Sequence, residues 1–168
     1  MPNSIRTALR ALATLAAVSL CVPAAANESK LVSIHEDIVA DYADVEHLPA
    51  QDLLTLASDR RVVFDVREPD EYAVSHIDGA IQVDPDISVE AFTERYAALL
   101  EDRTVVFYCS VGRRSSILAQ RLDSTVSKQG ANAAYNLIGG IFQWRNEDLP
   151  LVDAEGETSA VHPYNRFW

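Results

Sequence analysis

Two short runs rich in valine and phenylalanine constrain the fold of this chain most strongly. Residues 61–66 (RVVFDV) and 104–108 (TVVFY) are too short for helices and lack the polar alternation of a half-exposed strand. Such runs are typical of strands that are buried on both faces. Apolar residues at helical spacing follow each run, so strands alternate with helices along the chain. This order predicts an α/β fold with a mostly parallel sheet covered by helices on both faces.

Weaker patterns add the remaining elements of one domain, which we place at residues 44–152. Short strands are expected near 45–48, 81–83 and 133–137, and Pro49 is well placed to open a helix. Residues 27–43 show no clear period, so we expect an extended lead-in there. The tail, residues 153–168, is polar until an aromatic cluster at 162–168, which we expect to pack on the domain.

The first 26 residues have the pattern of a cleaved signal peptide. Arg6 and Arg10 precede a short apolar run at 11–22, and three alanines at 24–26 offer a cleavage site. The apolar run is shorter than the roughly 20 residues that a membrane-spanning helix needs. We therefore expect export to the bacterial periplasm, with an uncleaved anchor as the alternative. Cleavage would remove Cys21 and leave Cys109 as the sole thiol.

Charge and composition restrict the partners of the chain. Its 168 residues carry a formal net charge of −11, which disfavours nucleic acid because phosphate backbones are bound by basic surfaces. We expect a monomer without stable membrane insertion after signal cleavage. The histidines at 35, 47 and 162 lack metal-ligand spacing, so no metal is predicted.

Cys109 is the strongest candidate for chemistry, because it follows a buried strand and precedes a helix. Ligands of parallel sheets bind at this edge. Gly112 permits a tight loop whose N–H groups can face an anion, while Ser115 and Ser116 could cap the helix. The helix start and the basic residues Arg113 and Arg114 would favour the thiolate form of the cysteine. The alternative is that Cys109 is an inert core residue.

The spacing of the loop bears on which atom the cysteine would attack. Cysteine phosphatases place an arginine after five intervening residues. Here Ser115 occupies that position, and Arg114 comes one residue earlier. The loop is therefore one residue short for wrapping a phosphate in that way.

Four ordered motifs resemble those of the rhodanese family. The segment from Cys109 to Ser115 (CSVGRRS) resembles the active loop Cys-x-x-Gly-x-Arg-Ser. Residues 64–72 (FDVREPDEY) resemble the Asp-Val-Arg-x-x-x-Glu-[Tyr/Phe] segment, and 76–80 (HIDGA) resemble the Gly-His-Ile-x-Gly-Ala turn, with Ser75 in place of glycine. Residues 136–144 (NLIGGIFQW) resemble the closing strand, turn and helix. The resemblance covers roughly residues 45–150.

The resemblance implies a rhodanese-like fold, a central parallel sheet of about five strands with helices on both faces, and sulfurtransferase activity through a Cys109 persulfide. The thiolate would attack the outer sulfur of an anionic donor such as thiosulfate, and cyanide or a thiol would accept that sulfur. No cofactor is implied beyond the persulfide. The substrate-binding loop would comprise Ser110, Val111, Gly112, Arg113, Arg114 and Ser115.

Supporting roles follow from position in these motifs. We expect Arg114 to tie the loop to the domain and Arg113 to attract the anionic donor. Asp65 and Arg67 are expected to form an ion pair that braces the site, and His76 to be a scaffold residue. Other readings stay open: mercaptopyruvate or polysulfide as donor, a non-enzymatic persulfide carrier or sulfur-sensing module, and a phosphatase or arsenate reductase on a related fold.

Overall fold

A computed structural model of the chain describes residues 24–163. The helices are α1 (Ala24–Asp41), α2 (Ala50–Thr55), α3 (Pro69–Val74), α4 (Val89–Tyr96), α5 (Arg113–Lys128) and α6 (Gly140–Asn146). The strands are β1 (Glu46–Leu48), β2 (Arg61–Asp65), β3 (Ile81–Gln82), β4 (Thr104–Tyr108), β5 (Ala133–Leu137), β6 (Leu151–Asp153) and β7 (Gly156–Thr158).

The first five strands form one parallel sheet in the order β1-β5-β4-β2-β3. The two runs that dominate the sequence become β2 and β4, which pair near the centre with Val63 opposite Val106 and Asp65 opposite Tyr108. All carboxyl ends of these strands therefore lie at one edge of the sheet. The five-stranded parallel sheet predicted from the sequence is confirmed.

Alternate residues of the central strands enter two separate hydrophobic cores. Phe64 and Phe107 face α4 and α5, where they pack with a group that includes Leu122. Val63 and Val106 face the opposite side, in the core that α2 and α6 complete. Because successive side chains of a strand point to opposite faces, a run of apolar residues fits only a sheet covered on both sides. The predicted helical layers on both faces are confirmed.

The segment before β1 is helical, so the prediction of an extended lead-in at 27–43 is wrong. Leu31 and Ile38 are buried and lie on one face of α1 with His35. This face has helical spacing, but the exposed Val32 and Val39 place apolar residues on the outer side and obscure the period. The predicted signal segment, residues 1–26, lies outside the described residues except for its last three.

Two features follow α6. The hairpin of β6 and β7, which the sequence patterns did not reveal, buries Leu151 and pairs Val152 with His76. Val161 packs against the core beneath α2 and α6, whereas residues 164–168 of the predicted aromatic cluster lie outside the described residues.

Between residues 24 and 163, no helix combines the length and apolar character needed to cross a membrane.

Candidate active site at Cys109

Cys109 lies at the carboxyl edge of the sheet, between the end of β4 and the start of α5. Its side chain is 1% exposed, and its Sγ accepts a hydrogen bond of 3.2 Å from the backbone N–H of Gly112. Gly112 is the N-cap of α5, with a φ of 103° that side chains rarely allow. The sulfur thus lies beside the amino end of a 16-residue helix, where the unpaired N–H groups carry partial positive charge.

The loop carbonyls are held by the first turn of α6. Ile141 donates its N–H to the Cys109 carbonyl at 2.9 Å, and Phe142 donates to the Ser110 carbonyl at 3.1 Å. In a planar trans peptide the N–H points opposite to the carbonyl. The N–H groups of Ser110 and Val111 therefore point away from α6. This contact explains how an otherwise short loop keeps one orientation.

Arg114 fastens the loop to α3 through a two-pronged ion pair with Glu71. Its two terminal nitrogens lie 2.7 and 2.9 Å from the two carboxylate oxygens of Glu71. Ser110 joins the pair: its Oγ donates to Glu71 and accepts from Arg114, both at 3.0 Å. The guanidinium of Arg114 is thus bonded to α3 and the loop hydroxyl. Ser110 turns its side chain to the same cluster.

The environment of Glu71 keeps its carboxyl ionised. Burial acts to raise its pKa, but hydrogen bonds from Arg114 and from the Glu68 backbone outweigh burial and lower the pKa below 4.5. The Glu68 bond belongs to a capping box at the start of α3. Glu71 therefore serves helix α3 and the cysteine loop at once.

We expect Glu71→Gln to lower the free energy of unfolding by about 2 kcal/mol at neutral pH, because it leaves Arg114 without its buried counter-charge. A carboxyl with a lowered folded pKa stabilises the fold above its unfolded pKa, and this contribution disappears as the pH falls through the folded value. The difference between wild type and variant should therefore shrink well below pH 4.5. Urea unfolding across pH measures this.

The neighbouring Asp70→Asn is the matched control, since Asp70 is exposed and asparagine keeps its oxygen acceptor. We expect it to change the free energy of unfolding by less than about 0.5 kcal/mol. Equal losses in the two variants would show that the ion pair with Arg114 contributes nothing specific.

A second buried network lies under the site at the ends of β2 and β4. Arg67 donates to both oxygens of Asp65, at 2.8 and 2.6 Å, and to the Ser75 carbonyl at 2.6 Å. Both charged side chains are fully buried. The predicted ion pair is therefore present, and it ties the end of β2 to the turn after α3. Ser75 is extended, with a φ of −173°, so serine is accommodated where the related motif has glycine.

Tyr108 completes this network from β4. Its hydroxyl donates to Asp65 at 2.6 Å and accepts the Ile77 N–H at 3.1 Å. Burial and the adjacent Asp65 charge raise the pKa of Tyr108 well above 10.0. The hydroxyl consequently stays protonated and holds the residue that precedes Cys109 in place.

His76 lies in the turn beyond α3. Its ring stacks on Tyr72 with 3.8 Å between centroids, and its Nδ1 is 3.1 Å from the Tyr72 carbonyl. Its backbone pairs with Val152 in the hairpin. The turn is therefore held against α3 by the His76 side chain and against β6 by the His76 backbone.

The two serines at the start of α5 do not cap it, so that prediction is wrong. Ser115 Oγ donates to Asn136 Oδ1 at 2.6 Å, and Ser116 Oγ donates to the Gly112 carbonyl at 2.8 Å. The left-handed Gly112 holds the cap position, which puts both serines inside the helix. Asn136, on β5, also lies 3.2 Å from His47 Nδ1 and so links α5 to β1.

Arg113, the other loop arginine, is bonded to α1. Its Nη1 lies 2.8 Å from Oδ2 of Asp41, and both side chains are partly exposed. This pair could not be predicted from the sequence, because Asp41 belongs to the segment without a visible period. Glu71 and Asn136 each lie in one of the motifs that resemble the rhodanese family, but the sequence indicated no role for either residue.

Within residues 24–163 no group of three or more His, Cys, Asp and Glu side chains is arranged to hold a metal ion.

Comparison with known proteins identifies similar chains. A probable adenylyltransferase/sulfurtransferase, MoeZ, of Mycobacterium tuberculosis is 41% identical over 88 residues, covering 52% of this chain and 21% of that protein. A sulfurtransferase of Allochromatium vinosum is 33% identical over 95 residues, covering 56% of this chain and 81% of that protein. A thiosulfate sulfurtransferase structure from Pseudomonas aeruginosa matches with a TM-score of 0.57 at 22% identity, over 79% of this chain and 25% of that one.

These relatives differ in how much of their length the chain represents. The chain spans only about a fifth of MoeZ, and the structural match at 22% identity concerns the fold alone. The family model for the rhodanese-like domain matches residues 49–147, more than half of the chain, from α2 through α6 and including the Cys109 loop. Helix α1 and the terminal hairpin lie outside the match. The chain therefore belongs to the rhodanese-like domain family.

Proposed function

We propose that this protein is a rhodanese-type sulfurtransferase that carries sulfur on Cys109. The observation that supports the proposal most directly is the position of Sγ. It accepts the Gly112 N–H at the amino end of α5, in a loop whose carbonyls are held elsewhere. Such a site stabilises negative charge on sulfur, first as a thiolate and then as a persulfide anion.

The proposed reaction has two displacement steps. In the first, the Cys109 thiolate attacks the outer sulfur of an anionic donor such as thiosulfate, the donor S–S bond breaks, and sulfite leaves with the bonding electrons. In the second, cyanide or a thiolate attacks the outer sulfur of the persulfide and releases the Cys109 thiolate. The enzyme alternates between a free form and a persulfide form and returns to the free form after each cycle. This is the ping-pong form of covalent catalysis.

Other residues of the loop position the sulfur. The Gly112 N–H and the first turn of α5 hold the charge, while the pair of Arg114 with Glu71 fixes the loop on α3. Because Arg114 is engaged with Glu71, it is not free to clamp a phosphoryl group over the sulfur. This favours sulfur transfer over phosphatase chemistry, for which hydrolysis of p-nitrophenyl phosphate is the direct assay.

Intact-mass measurement after exposure to a sulfane-sulfur donor tests the proposal. We expect a mass increase of one sulfur atom, located on Cys109 by peptide mapping, which cyanide then removes with formation of thiocyanate. A protein that gains the sulfur but releases it to neither cyanide nor thiols would be a carrier. A protein that gains no sulfur from any donor would contradict both the transferase and the carrier.

A further inference from the structure

The arginines around the cysteine loop bring no net positive charge to it. Arg67 is paired with Asp65, Arg114 with Glu71 and Arg113 with Asp41. A site for a doubly charged anion ordinarily offers an unneutralised cation, since the interaction energy scales with the product of the charges. Each of these three arginines is thus offset by a carboxylate, and the N–H groups at the start of α5 supply the attraction next to the sulfur.

The pair of Arg113 with Asp41 differs from the other two in exposure and in origin. Its side chains are 43% and 55% exposed, whereas the carboxylates of the other pairs are buried. Arg113 begins α5 immediately after Gly112, whose N–H bonds Sγ. Asp41 ends α1, which precedes the residues matched by the family model. A carboxylate from outside the matched domain therefore neutralises the loop cation nearest the solvent.

Helix α1 is held against the loop by packing as well as by charge. Ile38, three residues before Asp41, is fully buried. Its Cδ1 lies 3.5 Å from the position that a Cβ on Gly112 would occupy. Because this contact anchors the end of α1 at Gly112, Asp41 has a fixed place beside Arg113. The ion pair is a feature of the docked helix rather than a chance surface contact.

We propose that Asp41 is a specificity-determining residue, which lowers the preference of the site for doubly charged donors relative to singly charged ones. The inference rests on the proposed sulfur transfer. Thiosulfate carries two negative charges, whereas a thiosulfonate or a persulfide anion carries one and delivers the same type of outer sulfur. With Arg113 neutralised, the dianion gains little attraction to offset the acidic surface of a chain with a net charge of −11.

The variant Asp41→Asn tests this with thiosulfate and methanethiosulfonate as donors of different charge. Removing one negative charge near the loop should raise kcat/KM for thiosulfate by about three- to tenfold at low salt, and for methanethiosulfonate by about the square root of that factor. The ratio of the two values is the readout, because a general structural effect would alter both donors alike. The difference should diminish as salt is added.

Two further variants separate the pair from bulk charge. Asp37→Asn removes the same charge from an exposed position one turn earlier on α1. We expect it to change the logarithm of the ratio by less than about half of the change caused by Asp41→Asn. Arg113→Gln combined with Asp41→Asn restores a pair of zero net charge and should return the ratio to the wild-type value. Equal ratios in wild type and Asp41→Asn, or equal effects of Asp37→Asn and Asp41→Asn, would overturn the inference. If wild type takes sulfur from neither donor, the proposed function itself fails.

Discussion

Replacing Cys109 by serine is expected to abolish sulfur transfer, with a loss of at least about 10³-fold in thiocyanate formation from a sulfane-sulfur donor and cyanide. A serine hydroxyl is hardly ionised at neutral pH and is a far weaker nucleophile than a thiolate. It also cannot hold the sulfur as a persulfide, so both displacement steps are lost. The mass increase after donor treatment should disappear together with turnover.

We expect the Cys109→Ser variant to fold, so that a loss of sulfur transfer can be attributed to the missing thiol. Serine is close to cysteine in size, and Cys109 contributes one small side chain to a core of many residues. We expect a loss of unfolding free energy of about 1 to 2 kcal/mol, measured by urea. Cys21→Ser, made in the unprocessed chain that still contains Cys21, is the matched control, and it should keep full sulfur loading. Loading that persists in Cys109→Ser and vanishes in Cys21→Ser would refute the assignment.

The sheet could be predicted from the sequence because burial on both faces leaves a strong pattern. In β2 and β4, consecutive residues such as Val63 and Phe64 enter different cores, so the middle positions of both strands are all apolar. The position of Cys109 follows from the same pattern, since a loop after a central parallel strand reaches the carboxyl edge of the sheet. These inferences need only local composition and the geometry of parallel sheets.

Contacts between distant segments could not be predicted in this way. Helix α1 contributes a buried face of few residues, and its pairing of Asp41 with Arg113 joins positions 72 residues apart. The role of Ser115 depends on Asn136, which reaches it from another strand. A hydroxyl near a helix start fits a cap when only local sequence is considered, and the left-handed Gly112 that takes the cap position becomes evident only in three dimensions.

The short hairpin after α6 could not be predicted either, because its position also depends on contacts with a distant segment. Strands β6 and β7 have three residues each, and they bury little besides Leu151. Their position depends on the backbone pairing of Val152 with His76, a residue of the turn beyond α3. Backbone hydrogen bonds leave no side-chain pattern in the sequence. Such elements are therefore visible only when the rest of the fold is known.

The contact of α6 with the Cys109 loop places a severe steric requirement on Gly140. A Cβ at this residue would lie 2.3 Å from the Cys109 carbonyl oxygen and 2.8 Å from the carbonyl atoms of Ser110. Both neighbours are backbone, which cannot rotate away as a long side chain could. The φ of Gly140 is also positive, at 56°. A side chain here would therefore be strained and would push α6 away from the loop.

We accordingly expect Gly140→Ala to lower the free energy of unfolding by about 3 to 5 kcal/mol, and to reduce sulfur loading of Cys109 in whatever protein remains folded. The reduction in loading follows because displacement of α6 would release the carbonyls that Ile141 and Phe142 hold, and with them the orientation of the loop. Gly79→Ala is the matched control: its φ of 74° imposes similar backbone strain, but a Cβ there meets no atom within 4 Å. Urea unfolding should give a loss of only about 1 kcal/mol for Gly79→Ala. Equal destabilisation of the two variants would mean that backbone strain alone accounts for the effect, and that the contact between α6 and the cysteine loop is not what requires glycine.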